Sequence, residues 1–275
     1  MKVANLNGKL AVITGGSSGI GYAIANRLAK QGADLLLVAR DQHKLDRAKS
    51  ELSRLNSADV RTVSVDVASD QDIETLIAAV KSLRPSADII INSAGIVSGG
   101  KLHETPIEEW DRLHGINVRG LVLVLQALIP DMIRSDRAQR HIVNVSSAAG
   151  YAGSPGMSAY GATKAAVIAL SESLRVELAP FDIGVTVLCP GYVKTPIAET
   201  IQLFGSMNNP KTQKRIEQMF RQGNLSPERV AEQTLKAIDR NKAFVSVGRD
   251  AIGAHYLRRL SPQLLARAVG AVSGG

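Results

Sequence analysis

The sequence predicts an α/β fold, a doubly wound parallel sheet of about seven strands with helices on both faces. Short runs rich in Val, Ile and Leu alternate with longer amphipathic segments along most of the 275 residues. The run at residues 35–39 is apolar on both faces, which is typical of a parallel strand buried between two helical layers. A glycine-rich turn follows the first predicted strand and opens a helix, as in nucleotide-binding α/β proteins.

The periodicity of apolar residues places the individual elements along the chain. Strands are predicted at residues 10–14, 35–39, 61–66, 88–92, 141–146, 184–189 and 243–247. Helices are predicted at 21–31, 44–55, 71–83, 106–134, 158–178 and 227–240, whereas 197–225 is predicted to be the least regular part. We expect one catalytic domain over residues 1–250, with a substrate lobe at about 192–225. A helical extension over 251–275, with a frayed end, follows it.

Composition narrows the classes of function and the compartment. Hydrophobic residues form 45% of the chain, which is enough for a large core. The single cysteine, Cys189, cannot form an internal disulfide, and no apolar leader precedes the first strand, so we expect a cytoplasmic protein. The longest apolar stretch, residues 120–133, is shorter than the roughly 20 residues that span a bilayer.

The charge pattern bears on partners. The net charge is +8, but the basic residues are scattered and aromatic residues form only 4% of the chain, so we expect no nucleic-acid partner. The five histidines are also scattered, without the spacing of metal ligands, and no metal site is predicted.

Residues 14–21 read Thr-Gly-Gly-Ser-Ser-Gly-Ile-Gly, between a predicted strand and a predicted helix. Glycines here allow a tight turn and a close approach of the backbone to a pyrophosphate. The helix that follows would point its N-terminal amides and the positive end of its dipole at the phosphates. The alternative is an ordinary strand-to-helix turn, and the position after a buried strand favours a dinucleotide.

Further motifs follow in a fixed order along the chain. They are Asn92-Ser-Ala94-Gly95, Asn117 within Ile-Asn-Val, Ser147, Tyr160-x-x-x-Lys164, Pro190-Gly191 and Thr195. With the T-G-x-x-x-G-x-G spacing of the first turn, this series resembles the short-chain dehydrogenase/reductase family over about residues 8–195. The resemblance implies a Rossmann-type fold and a nicotinamide cofactor, and there is some similarity to 3-oxoacyl and 3-ketosphinganine reductases.

The residue after the second strand bears on the choice between NADP(H) and NAD(H). An acidic side chain at this place favours NAD, whereas Arg40 suits a 2′-phosphate through charge-assisted hydrogen bonds. Asp41 is the adjacent alternative, Ser17 could add a hydroxyl donor, and we expect NADP(H) in preference to NAD(H). The cofactor residues that the resemblance implies are Gly15, Ser17, Ser18, Gly19, Ile20, Gly21, Arg40, Asp66, Val67, Asn92, Ala94, Gly95, Tyr160, Lys164, Pro190, Gly191, Val193 and Thr195.

Tyr160 and Lys164 lie four residues apart on a predicted helix, so their side chains share one face. A free tyrosine has a pKa of about 10, and we expect the nearby ammonium to lower the pKa of Tyr160, so that it acts as general acid and base. By resemblance, Ser147 hydrogen-bonds the substrate oxygen, and Asn117 holds a water that links Lys164 to solvent. Ser146 is the adjacent alternative to Ser147.

The sequence therefore predicts an oxidoreductase that acts on a small-molecule ketone or secondary alcohol, with a lipid-like 3-oxo compound as one candidate. Leu203, Phe204, Met207, Met219 and Phe220 either line an apolar pocket or pack the lobe onto the core. The alternatives to a reductase are a catalytically quiet NADP(H)-binding redox sensor and an epimerase or dehydratase.

The extension at 251–275 has apolar residues near helical spacing, with arginines between them. It could lie on a membrane surface or on a neighbouring subunit, or pack on its own domain, and membrane contact is not favoured. The resemblance implies a homodimer or homotetramer.

Overall fold

A computed structural model of the chain describes residues 6–55, 59–137, 139–222 and 225–273. Seven strands of the described residues form one parallel sheet in the order β3-β2-β1-β4-β6-β7-β9. They are β1 Leu10–Thr14, β2 Asp34–Ala39, β3 Val60–Ser64, β4 Ile89–Asn92, β6 Arg140–Val145, β7 Ile183–Pro190 and β9 Phe244–Val247. Two short parallel strands pair outside it, β5 Ser98–Gly99 and β8 Gln202–Leu203.

The α-helices of the described residues are α1 Gly19–Ala29, α2 Gln42–Leu52, α3 Asp70–Leu83, α4 Ile107–His114, α5 Gly120–Arg134, α6 Ser158–Leu178, α7 Pro210–Gln222, α8 Pro227–Asp239, α9 Arg249–Leu260 and α10 Pro262–Ser273. The elements predicted from periodicity agree with these bounds to within a few residues, except in two regions described below.

Two apolar clusters cover the two faces of the sheet. One joins α1, α2 and α8 to the sheet through residues such as Ile24, Leu28 and Leu45, which are fully buried. The other joins α3, α5 and α6 through Leu76, Val124 and Val167. Helices therefore flank both faces, and the predicted doubly wound parallel sheet is confirmed.

The single helix predicted at 106–134 is in fact divided. A π-helical turn, Gly115–Arg119, separates α4 from α5, and Pro130 lies inside α5. Ile107–Arg134 as a whole has the length and composition to cross a membrane. The length of the apolar stretch at 120–133 therefore does not by itself exclude a membrane span. The apolar side chains of α5 nevertheless pack into the second cluster, as those of a core helix do.

The segment at 197–225 is more regular than predicted, because it contains β8 and the 13-residue helix α7. The described residues of α7 are exposed or half-buried. The sequence therefore has few of the regular apolar positions that would predict this helix.

The C-terminal extension packs on its own domain. Leu257 of α9 and Leu265 and Val269 of α10 join a cluster with Tyr151 and Cys189. One face of α9 remains exposed, and it carries Ile252, Tyr256 and Leu260. The last two residues of the predicted frayed end lie outside the described residues.

Candidate active site

The carboxyl ends of the central strands meet at one edge of the sheet. The strand order changes direction at β1, which pairs with β2 on one side and with β4 on the other. In open α/β sheets a ligand binds in the crevice outside such a switch point. The glycine turn follows β1 at this crevice, and the Asn-Ser-Ala-Gly segment follows β4.

The glycine turn is closely packed against its neighbours. A Cβ placed on Gly15 would lie 2.9 Å from the backbone of Ser93 and Ala94, and Gly15 has a φ of +65°. A Cβ on Gly21 would lie 2.3 Å from the Gly15 carbonyl oxygen. Only glycine fits both places. Ser18 begins α1 without a side-chain cap, so the helix amides face the crevice and fit a pyrophosphate.

Thr14 joins the two turns, a role that the sequence did not indicate. Its Oγ1 accepts hydrogen bonds from the Ser93 amide at 3.1 Å and from the Ala94 amide at 3.2 Å. The segment after β4 is thereby held against the glycine turn, and Ala94 and Gly95 face the crevice beside it. Asn92 is instead buried under this segment, where its amide donates to Asn144 Oδ1 at 2.9 Å.

Ser147, Tyr160 and Lys164 meet at the end of β6. Tyr160 and Ser147 form a side-chain hydrogen bond, and the Lys164 Nζ lies 5.7 Å from the centre of the Tyr160 ring. Lys164 also donates to the Val145 carbonyl at 3.1 Å. The loop after β6 can approach α6 this closely because of Gly150, where a Cβ would lie 2.8 Å from the Lys164 carbonyl oxygen.

The structure distinguishes the two adjacent serines. Ser146 is buried, and its hydroxyl donates to the Lys164 carbonyl at 2.7 Å. Ser147 Oγ accepts from the Ala149 amide at 3.2 Å and reaches Tyr160. Ser147 is therefore the serine that contacts Tyr160, whereas Ser146 supports the helix that carries Lys164.

Asn117 lies in the π-helical turn between α4 and α5. Its Oδ1 accepts from the Ile96 amide at 2.9 Å, and its Nδ2 donates to the Ile96 carbonyl at 3.0 Å and to Thr163 Oγ1 at 3.1 Å. A Cβ on Gly95 would lie 3.1 Å from Asn117 Oδ1 and 3.4 Å from Lys164 Nζ. Asn117 thus connects the segment after β4 to α6, next to Lys164. Wider turns of this kind are frequent at functional sites.

Burial dominates the electrostatics at this end of the crevice. It raises the pKa of Tyr160 to about 12, against a smaller lowering by the hydrogen bond with Ser147. Burial also lowers the pKa of Lys164 to about 8. The expectation that the ammonium lowers the pKa of Tyr160 is therefore wrong for this structure, because loss of hydration raises this pKa and the contact that lowers it is the hydrogen bond with Ser147.

The other end of the crevice is exposed and charged. Arg40 follows β2, and its guanidinium lies 3.8 Å from the Asp66 carboxylate after β3, with side chains that are 64% and 39% exposed. Val67, next to Asp66, is buried, and its side chain packs against Gly120. A surface cavity of about 250 Å³ lies between the glycine turn and α2, and its lining includes Ser17, Ser18, Lys44, Arg47 and Glu51.

Asp41 is engaged in the structure of α2. Its carboxylate caps the helix by accepting from the Lys44 amide at 3.1 Å, and this hydrogen bond holds the pKa of Asp41 below its usual value. Asp41 is therefore occupied as a helix cap, whereas Arg40 is 64% exposed and its guanidinium contacts Asp66.

The segment after β7 crosses back toward the glycine turn. Pro190 pairs with Val247, Val193 is buried and pairs with Leu225, and Thr195 reaches the turn, where a Cβ on Gly19 would lie 3.4 Å from its methyl carbon. This path encloses the crevice from the side of β7.

The substrate lobe packs partly around Tyr160. Val97, Ile201 and Leu203 form a buried apolar cluster with Tyr160 at its edge, together with Met157, Ile197 and Ile216. Of the lobe residues predicted from sequence, Leu203 belongs to this cluster, Met207 lies over Gly99 and Gly156, and Phe220 stacks edge-on with Tyr192 at 5.4 Å between ring centres.

Two further features lie outside this site. No cluster of His, Cys, Asp or Glu that could hold a metal is found among the described residues. A cavity of about 540 Å³ lies on the outer face of α1, with Tyr22, Arg27 and Glu228 in its lining, and it contains none of the predicted site residues.

The sequence matches the short chain dehydrogenase family over residues 9–204. An uncharacterized oxidoreductase of Staphylococcus epidermidis is 37% identical over 197 residues, which are 72% of this chain and 83% of the relative.

Solved structures agree with this family. A short chain dehydrogenase/reductase from Burkholderia phymatum in complex with NAD has a TM-score of 0.85 at 30% identity, over 94% of this chain and 96% of that one. The 3-ketoacyl-(acyl-carrier-protein) reductase from Brucella melitensis with NADH has a TM-score of 0.77 at 29%, over 88% and 98%. L-sorbose reductase from Gluconobacter frateurii, with NADPH and L-sorbose, has a TM-score of 0.77 at 29%, over 89% and 97%. With the glycine turn and the Ser147, Tyr160 and Lys164 set in place, this chain belongs to the short chain dehydrogenase family of oxidoreductases.

Proposed function

We propose that this chain is an NADP(H)-dependent carbonyl reductase that reduces an apolar ketone to a secondary alcohol. The observation that carries the proposal is the meeting of Ser147, Tyr160 and Lys164 beside the glycine turn, at the carboxyl ends of β1, β4 and β6. A redox sensor without turnover would need the cofactor turn but no hydrogen-bonded Ser147 and Tyr160.

The nicotinamide, when bound, supplies the hydride for the carbonyl carbon. Ser147 orients the carbonyl oxygen by hydrogen bonding and stabilises the negative charge that develops on it. Tyr160 donates its phenolic proton to that oxygen, and the raised pKa keeps the phenol protonated at neutral pH, as a proton donor requires. The Lys164 ammonium stabilises the tyrosinate left behind until it is protonated again.

NADP(H) is proposed because of the cations at the adenosine end. Arg40 directly follows β2 and is 64% exposed, Ser17 offers a hydroxyl, and Lys44 lines the cavity beside the glycine turn, where Arg47 is paired with Glu51. A guanidinium and an ammonium suit a 2′-phosphate, which carries more negative charge than a ribose hydroxyl. The related structures hold NAD, NADH and NADPH, so the choice depends on these residues of this chain.

The substrate class is proposed from the apolar side chains beside Tyr160. Val97, Ile201 and Leu203 are buried next to the phenol, and the partly buried Met157, Ile197 and Ile216 supply the accessible aliphatic surface of this cluster. A 3-oxo acyl compound would bury its chain on this surface, whereas a polyhydroxylated ketose would leave its hydroxyl groups without partners there.

A substrate panel tests the proposal. NADPH- and NADH-dependent reduction is measured on 3-oxo acyl thioesters with 4 to 12 carbons, and on L-sorbose as the polar comparison. We expect NADPH to be preferred and kcat/KM to rise about fourfold for each buried methylene until the surface is filled. Turnover that is independent of chain length, or highest on the ketose, would overturn the apolar substrate class, and a preference for NADH would overturn the cofactor. The predicted cytoplasmic location and homo-oligomer stay predictions.

A further inference from the structure

Asp250, in the first turn of α9, reaches the backbone that follows β7. Its Oδ2 accepts a hydrogen bond from the Tyr192 amide at 3.2 Å, 58 residues away in sequence. The carboxylate also lies flat on Gly191, where a Cβ would be 2.1 Å from Oδ2 and 2.3 Å from Oδ1. A side chain at position 191 would therefore displace the Asp250 carboxylate from its place on this backbone.

The same turn of α9 holds the loop that follows β6. The Tyr151 hydroxyl donates to the Ala251 carbonyl at 2.8 Å, and Arg258 donates to the Tyr151 carbonyl at 2.7 Å. Tyr151 is 7% exposed and lies four residues after Ser147. Residues 250 and 251 are adjacent, so one turn of helix connects the loop that carries Ser147 to the loop that carries Gly191.

These two loops flank the catalytic end of the crevice. β6 and β7 are neighbours in the sheet. Arg40 directly follows β2, and β2 lies four strand spacings, or about 19 Å, from β7. Given the proposed function, the reactive nicotinamide must lie near Tyr160 and therefore near Gly191, while the adenosine half lies near Arg40. The contact between Asp250 and the Gly191–Tyr192 backbone can thus affect binding of the nicotinamide half without affecting binding of the adenosine half.

We infer that Asp250 is a positioning residue for the nicotinamide half of the cofactor. It fixes the Gly191–Tyr192 backbone relative to the Tyr151 loop, so that the ring is held against Tyr160 and Ser147. The C-terminal extension is then part of the active-site framework, although it lies beyond the family match that ends at residue 204.

The test compares a whole cofactor with its adenosine half. Dissociation constants of NADPH and of 2′,5′-ADP are measured by calorimetry for the full chain, for Asp250→Ala and for Asp250→Asn, and kcat is measured with the preferred ketone. Should the wild-type protein select NADH, the pair becomes NADH and ADP. Leu260→Ala is the matched control, because Leu260 lies on the same helix and is 83% exposed.

We expect Asp250→Ala to weaken NADPH by about tenfold and to lower kcat, because a displaced loop misplaces the reacting ring. Binding of 2′,5′-ADP should stay within about twofold of wild type. Asp250→Asn keeps an oxygen that can accept from the Tyr192 amide, so it should retain most of the NADPH affinity. Should the alanine variant not fold, Asp250→Ser, whose shorter side chain cannot reach the Tyr192 amide, replaces it with the same expected losses. Leu260→Ala should match wild type throughout.

Equal weakening of NADPH and 2′,5′-ADP would overturn the inference, since it would indicate general loosening of the fold. Unchanged NADPH binding and kcat in Asp250→Ala would overturn it as well. Failure of the proposed function looks different, because the wild-type protein would then bind neither cofactor or reduce no ketone.

Discussion

The two ends of the crevice each hold a basic side chain next to an acidic or phenolic one, but one pair is exposed to solvent and the other is buried or partly buried. At the proposed adenosine end, the Arg40 and Asp66 side chains are 64% and 39% exposed and lie 3.8 Å apart. At the catalytic end, Lys164 is 6% exposed and Tyr160 lies against an apolar cluster.

The difference shows how burial changes what an ionisable side chain can do. Water screens the exposed groups, so they act by direct contact with a ligand that displaces the water. Lys164 is buried and Tyr160 is partly buried, and the loss of hydration moves their pKa values to about 8 and about 12. The exposed end is therefore suited to select a cofactor, and the buried end to transfer a proton.

A matched pair of lysine substitutions should give the largest contrast. We expect Lys164→Met to lower kcat by about 10²- to 10³-fold, because the tyrosinate loses its stabilising charge. Lys44→Met, at a side chain that is 67% exposed, should change only the KM for NADPH, by about twofold to fivefold. Steady-state kinetics on both variants measures the contrast. Similar losses in kcat from both would contradict the division of tasks.

Arg40→Gln tests the exposed end on its own. Loss of charge-assisted hydrogen bonds to a 2′-phosphate should lower kcat/KM for NADPH by about 10- to 100-fold, with kcat/KM for NADH nearly unchanged. The NADPH preference of the wild-type protein should also decline as salt is added, since the contact is exposed. Equal losses of kcat/KM with NADPH and with NADH would show that Arg40 does not recognise the 2′-phosphate.

His141 shows the effect of burial on a pKa away from the active site. It is buried but makes none of the contacts described for that site. Its Nε2 hydrogen-bonds Thr186 Oγ1 at 2.8 Å, and burial lowers the pKa of His141 to about 3. The unfolded chain therefore takes up a proton first as the pH falls below about 6.5, and stability is lost in that range. We expect a loss of about 2 kcal/mol between pH 7.5 and pH 5 from this residue.

Urea unfolding of wild type and His141→Gln at the two pH values measures this loss. The variant cannot titrate at this position, so its free energy of unfolding should depend less on pH, although it is less stable at pH 7.5. An identical pH dependence in both proteins would show that His141 is not held neutral.

The glycine turn and the positions of Arg40, Tyr160 and Lys164 could be predicted from sequence because their signals are local, while the roles of these residues stay predictions. The glycine turn lies directly between β1 and α1, Arg40 directly follows β2, and Tyr160 and Lys164 share one helix face. Each of these signals needs only a few consecutive residues.

The connections between these residues could not be predicted in the same way. Thr14 holds Ser93 across 79 residues and Asp250 holds Tyr192 across 58, and no periodicity marks such pairs. The π-helical turn at Asn117 has the apolar spacing of an ordinary helix. The Tyr160 pKa depends on how completely α6 and the lobe exclude water, which is a property of packing.

The most direct test of the central claim is Tyr160→Phe, with NADPH affinity and ketone reduction measured on the same preparation. The ring stays in its apolar cluster and only the proton donor is lost, so NADPH binding should stay within about twofold while kcat falls by about 10²- to 10⁴-fold. Wild-type turnover in this variant, or a loss of turnover fully explained by weaker cofactor binding, would contradict the account.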